Sequence, residues 1–182
     1  MQGIPLNERK RLGALLDDRP QTEVMAMIPQ FSQAETDNFV VPPAKIPEAL
    51  GVLMFNMERG VNLPEIQEFL RDCPDIQPFD VILANELDDG CARSGNKNTA
   101  RELAQAFGLN YAWGLEFIEL VNDENAKGFH GNAVFSRWPI RRAGVIRLPE
   151  QYNWYFDRQK RIGGRLAVFA ELDVGGQPVG AV

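Results

Sequence analysis

The stretch that most constrains this chain is Phe79-Asp80-Val81-Ile82-Leu83-Ala84-Asn85-Glu86-Leu87-Asp88-Asp89-Gly90, an apolar run that ends abruptly in carboxylates. Its aliphatic centre is too short for a helix and suits a strand buried on both faces, the kind found in sheets flanked by crossover helices. Glu86 then falls at the carboxyl end of the strand, with Asp88-Asp89-Gly90 opening a polar loop. That edge of such a sheet faces a crevice, where ligands bind. A buried strand followed by an ordinary polar turn satisfies the same residues, so the neighbouring segments must decide.

Upstream lies a second apolar strand, Gly51-Val52-Leu53-Met54-Phe55, ending in Asn56-Met57-Glu58-Arg59-Gly60. Between the two, Leu63-Pro64-Glu65-Ile66-Gln67-Glu68-Phe69-Leu70 has apolar residues at helical spacing, and Pro64 sits in the first turn, where a missing N–H costs nothing. The reading is strand, helix, strand, with the two strands parallel. It brings Asn56 and Glu86 to one sheet edge, a neutral oxygen beside a charged one. Mg²⁺ uses few protein oxygens and completes its shell with water and substrate phosphate, so this donor pair suits it.

A third segment, Gly131-Asn132-Ala133-Val134-Phe135-Ser136-Arg137-Trp138-Pro139-Ile140, follows in order. Together the three stretches resemble the endonuclease/exonuclease/phosphatase superfamily of metal-dependent phosphoesterases, over roughly residues 48–182. The resemblance implies an α/β fold with mixed sheet, namely half of a four-layer α/β sandwich in which two packed sheets are flanked by helices. Residues 1–47 would form an N-terminal extension, too short to bury a core of its own. It further implies a nuclease or phosphatase/phosphodiesterase using Mg²⁺ or Mn²⁺. Glu86 would be the principal metal ligand, and Asn56 would position metal, phosphate or nucleophile. Asn132 and Arg165 would contact the substrate phosphate, and the partner would be a phosphoester, nucleic acid included. Glu58 is either an acid behind the metal site or an ordinary exposed strand end.

In that family the chain continues into a histidine-bearing segment, a Gly-Asp-x-Asn motif and an Asp-His pair, none of which occurs before Val182. The 182 residues themselves are therefore expected to be inactive or nearly so. A metal- or phosphate-binding module without catalysis, on the same fold, is the alternative.

Charge narrows the partner. A net charge of −6 argues against grip on nucleic acid by bulk electrostatics. The distribution is uneven, however, because residues 137–165 carry a local excess of +6 and leave −12 elsewhere. A substrate-facing lip and a solvated loop both accommodate that excess. Within it, Tyr152-Asn153-Trp154-Tyr155-Phe156 interleaves aromatic rings with cations, which suits base stacking and equally suits loop packing. Cys73 and Cys91 lack disulfide-framework or metal-ligand spacing and read as free thiols of a reducing, cytoplasmic setting. No apolar run approaches a membrane span, and the first residues lack the apolar core of a signal peptide.

The remaining elements are local readings. Asn98 or Thr99 caps a helix over Thr99–Phe107 that stripes Leu103, Ala106 and Phe107 on one face, and Gly108 closes it. Strands follow at Asn110–Leu120 and Gly144–Leu148, and Arg165 heads the strand Leu166–Val174. A turn at Asp173–Pro178 starts a return strand. His130, the one histidine, lies in the loop leading to Gly131 and matches no catalytic histidine of the family. A structural or substrate-lip role is expected for it.

Overall fold

Two β-sheets lie face to face in the computed structural model, which describes residues 1–150, 152–157 and 159–182. The larger sheet contains β1 (Ala34–Asp37), β2 (Val52–Arg59), β3 (Val81–Asp89), β4 (Asn110–Glu119) and β5 (Phe129–Ser136) in the order β1-β4-β5-β3-β2. The smaller sheet runs β6 (Ile140–Arg147), β8 (Leu166–Val174) and β9 (Gln177–Ala181), while β7 (Arg161–Gly163) joins the larger one on β4. Helices α1 (Leu6–Ala14), α2 (Gln21–Ala26), α3 (Leu63–Asp72), α4 (Thr99–Phe107) and α5 (Trp154–Asp157) complete the chain. The fold is thus α/β with a mixed sheet and a second sheet packed on it, a partial sandwich. Among the described residues no helix is long and apolar enough to cross a membrane.

The strand-helix-strand unit forms as its residues require. β2 and β3 are parallel neighbours, with Asn56 opposite Asn85, and α3 carries Pro64 in its first turn. One face of the large sheet packs on helices through Leu63, Leu70, Leu103, Ile82, Ala84 and Leu87. The other face meets the small sheet through Ala112, Val134, Leu166, Val168 and Ala170. At β4, buried along its whole length, the approach is so close that a methyl group on Gly114 would touch Val145 and Val168 at 3.0 Å. The N-terminal segment shares in this packing. Leu12, Leu16, Val24 and Phe31 lie in the helix-side core, and β1 extends the sheet antiparallel to β4.

Helix α4 is capped as expected, with the Asn98 side chain accepting from the Arg101 N–H at 2.8 Å and Gly108 at φ 59° ending it. Its buried stripe differs from the expected one. Ala100, Leu103 and Ala104 face the core and Ala106 is exposed, because positions 100, 103 and 104, not 106, share one face at 3.6 residues per turn.

The loop expected from Asp88 onward is also corrected. β3 continues through Asp88 and Asp89, which pair antiparallel with His130 and Phe129 of β5. His130 accordingly lies within a strand. The two carboxylates are buried in the strand because cations reach them: Arg93 holds Asp88 at 2.7 Å and Lys127 holds Asp89 at 2.7 Å. Both thiols are free, Cys91 buried and Cys73 partly so.

Candidate functional site

Three ladder irregularities fall at one level across the large sheet. Between β2 and β3, Met57 and Glu58 stand against the single residue Glu86. Between β3 and β5, Asn85 and Glu86 oppose Asn132 alone, and on β4 the extra residue is Glu116. Bulges of this kind re-aim side chains and concentrate beside functional sites. The backbone there is strained as well. Glu58, Arg59 and Glu86 have φ of 46°, 66° and 59°, a region that costs a non-glycine residue about 1–3 kcal/mol.

Each residue proposed from the sequence can now be placed. Asn56 is exposed at its break in β2, and its Oδ1 accepts the Glu58 N–H at 2.8 Å, which fixes the side chain. Glu86 is not the last residue of a strand, as expected, but the pivot of a bulge within β3. Its backbone N–H donates to Asn132 Oδ1 at 3.1 Å, while its half-exposed carboxylate makes no described hydrogen bond or ion pair. Asn132 and Asn85 line a cavity of about 230 Å³ between the sheets, together with Met54, Ala167 and Val182. Asn56, Glu86 and Asn132 are therefore neighbours in the ladder. Glu58, exposed, makes no described side-chain bond.

Arg165 belongs to a different group, centred on the β4 bulge. Its Nη1 donates to Glu116 Oε1 at 3.0 Å, and its guanidinium stacks over Trp154 at 4.9 Å. Glu116 Oε2 is buried, has no hydrogen-bond partner among the described residues and lies 3.8 Å from His130 Nε2. His130 Nδ1 in turn is 2.8 Å from Asp88 Oδ1, and Arg93 grips both Asp88 oxygens at 2.7 and 2.9 Å. Burial by itself raises the Asp88 carboxyl, but the hydrogen bonds and charges of Arg93 and His130 hold it below the ordinary carboxylate range. The same burial pushes the Cys91 thiol far up, with Asp88 adding to it. This chain of charges was not legible in the sequence, because Glu116 reads there as one polar residue in an apolar strand. His130 is buried, its ring stacked on that of Phe117.

The basic excess of residues 137–165 does not gather into one lip. Arg137 donates to the Phe79 carbonyl, Arg141 pairs with Asp173 and Arg142 with Glu171. Arg161 stacks between Phe117 and Trp154 at 4.2 and 4.7 Å, and Arg158 lies outside the described residues.

The donor set around Glu86 fits a hard divalent cation in part. Glu86 carries a carboxylate with no described protein partner, the Asn132 amide oxygen holds its backbone N–H, and Asn56 lies on the adjacent strand; both amide oxygens have accepted one bond and keep a second lone pair. Among the described residues no three His, Cys, Asp or Glu side chains converge to enclose a metal ion. An open site, with most positions left to water and ligand, is what Mg²⁺ accepts.

No family model matches this chain, and no curated protein does. A solved structure, the crystal structure of endonuclease/exonuclease/phosphatase from Beutenbergia cavernae DSM 12333, is similar over 70% of this chain at 21% identity with a TM-score of 0.49. The similarity covers 35% of that protein, so this chain spans about a third of its length.

Proposed function

We propose that the chain is the part of a metal-dependent phosphoester hydrolase that carries the principal metal ligand. The observation behind this reading is Glu86, held in a left-handed bulge by the Asn132 side chain with its carboxylate unpaired, one strand away from Asn56. Strain of this kind persists only where surrounding structure enforces it, and it gathers at ligand sites. Mg²⁺ or Mn²⁺ bound there would polarise a phosphoryl oxygen and steady the leaving oxygen.

The residues have separable roles. Glu86 supplies the negative charge that binds the cation, and Asn56 presents a neutral oxygen fixed by its bond to the Glu58 N–H. Asn132 holds the Glu86 backbone and offers its amide N–H₂ to a phosphate oxygen. Arg165, exposed and kept in orientation by Glu116, meets phosphate charge at the other side of the sandwich face. His130 is committed to Asp88 and moves no proton for the reaction.

Calorimetric titration with Mg²⁺ and Mn²⁺ tests the reading. The parent chain is expected to bind and Glu86→Ala to lose binding, with Asn56→Ala intermediate. Equal binding by parent and Glu86→Ala would sink it. Assay of bis(p-nitrophenyl) phosphate in Mn²⁺ distinguishes a hydrolase from a module that binds metal or phosphate without turnover.

A further inference from the structure

A cavity beside Arg165 lies apart from the proposed metal site around Glu86. It has a volume of about 320 Å³ and lies between the N-terminal segment, the ends of β6 and β7, and the residues that lead into β8. Met25, Ile28 and Phe31 form its apolar wall, Leu148 and Gly164 lie opposite, and Arg165 stands at its edge. The same Arg165 borders a smaller cavity with Tyr152 and Trp154.

The second cation of this cavity, Arg147, is unusual in lacking an ion pair among the described residues. Of the five N–H groups of a guanidinium, the bonds to the carbonyls of Phe31, Leu115 and Gly164 use four. The remaining one is on Nη1. The group stacks on the Phe31 ring at 4.8 Å. The group is partly buried, and this burial pushes its pKa down to about 10. The lining of this chamber thus holds two guanidinium groups and the carboxylate of Glu150, with Glu116 paired to Arg165 behind it.

We propose that this chamber takes the hydrocarbon chain of a single-chain phosphate ester whose head group rests on Arg165 and the spare N–H of Arg147. It rests on the phosphoester reading in one respect, that the head group is phosphate. Apolar walls reward methylenes, and Arg147, with no ion pair among the described residues, favours an anionic head. The N-terminal segment, through Met25 to Phe31, thereby has a role in selecting the ligand.

Calorimetry with inorganic phosphate, butyl, hexyl and octyl phosphate and 1-octanol tests this. Affinity is expected to rise about fourfold per added methylene until the chamber is full, with octyl phosphate well ahead of octanol. Two variants obstruct the chamber from opposite walls: Ala26→Phe, and Gly164→Leu, where an added Cβ would meet no atom within 4 Å. Each is expected to lower octyl phosphate affinity at least tenfold and leave inorganic phosphate unchanged. Arg165→Gln is expected to erase the preference for octyl phosphate over octanol. A flat chain-length series, unchanged binding in both obstructed variants, or octanol binding as tightly as octyl phosphate overturns the proposal. Failure of the metal reading shows separately, as absent Mg²⁺ binding in a protein whose chain-length series is intact.

Discussion

The backbone of Glu86 yields a prediction whose sign is opposite to that of its neighbour. Glu86 has φ 59°, where a Cβ crowds the following carbonyl and costs roughly 1–2 kcal/mol. Glycine escapes that cost but loses about 0.5–1 kcal/mol more unfolded-state entropy than alanine. Glu86→Gly should therefore be more stable than Glu86→Ala, by up to about 1.5 kcal/mol. The Asn132 bond goes to the backbone N–H and survives both changes. Asn85, exposed in the same strand and without a positive φ, should show the reverse order, alanine above glycine by about 0.5–1 kcal/mol. Urea unfolding of the four variants reads both differences, and thermal melts should show about 2–4 °C per kcal/mol for a chain of this size. Should glycine be the weaker residue at both positions, Glu86 is not held in a left-handed conformation, and the strain invoked for the site is absent. Both Glu86 variants should lose metal equally, since each removes the carboxylate.

Asp88→Ala, which strands Arg93 and His130 beside a buried gap, should cost about 3–5 kcal/mol in urea unfolding; a loss below 1 kcal/mol contradicts the network. Because the folded Asp88 pKa is depressed, its contribution is present above the ordinary carboxyl value of about 4 and fades as pH falls through the lower folded value. Asp88→Asn should flatten that acid-side loss in a stability–pH profile while lowering stability at neutral pH. Gly131→Ala would drive a methyl into the Gly114 carbonyl oxygen and within 2.8 Å of the Trp113 ring, so a loss at the top of the overpacking range, about 3 kcal/mol, is expected by circular dichroism melts. Native protein treated with a thiol-specific disulfide reagent should react at Cys73 alone, with Cys91 reacting only after denaturation; rapid reaction at both would show that the Cys91 environment is open.

What the amino-acid sequence determined by itself was local. The aliphatic centre Val81–Ala84, the cap at Asn98 with Gly108 closing its helix, and Pro64 in a first turn act through nearest neighbours, and periodicity reports them directly. The adjacency of Asn56 and Glu86 followed from one strand-helix-strand unit, and Gly131 and Asn132 were marked by their resemblance to a known segment. Tertiary structure decided what depends on partners far along the chain. β3 runs through Asp88 and Asp89 because Arg93 and Lys127 neutralise them, and Lys127 is 38 residues from Asp89. Glu116 holds Arg165 across 49 residues, and Arg147, partly buried, donates to the carbonyls of Phe31 and Leu115. The bulge at Glu86 belongs to this second class. A register shift is a compromise among three ladders, each fixed by packing on both faces of the sheet, and no single strand encodes where that compromise will fall.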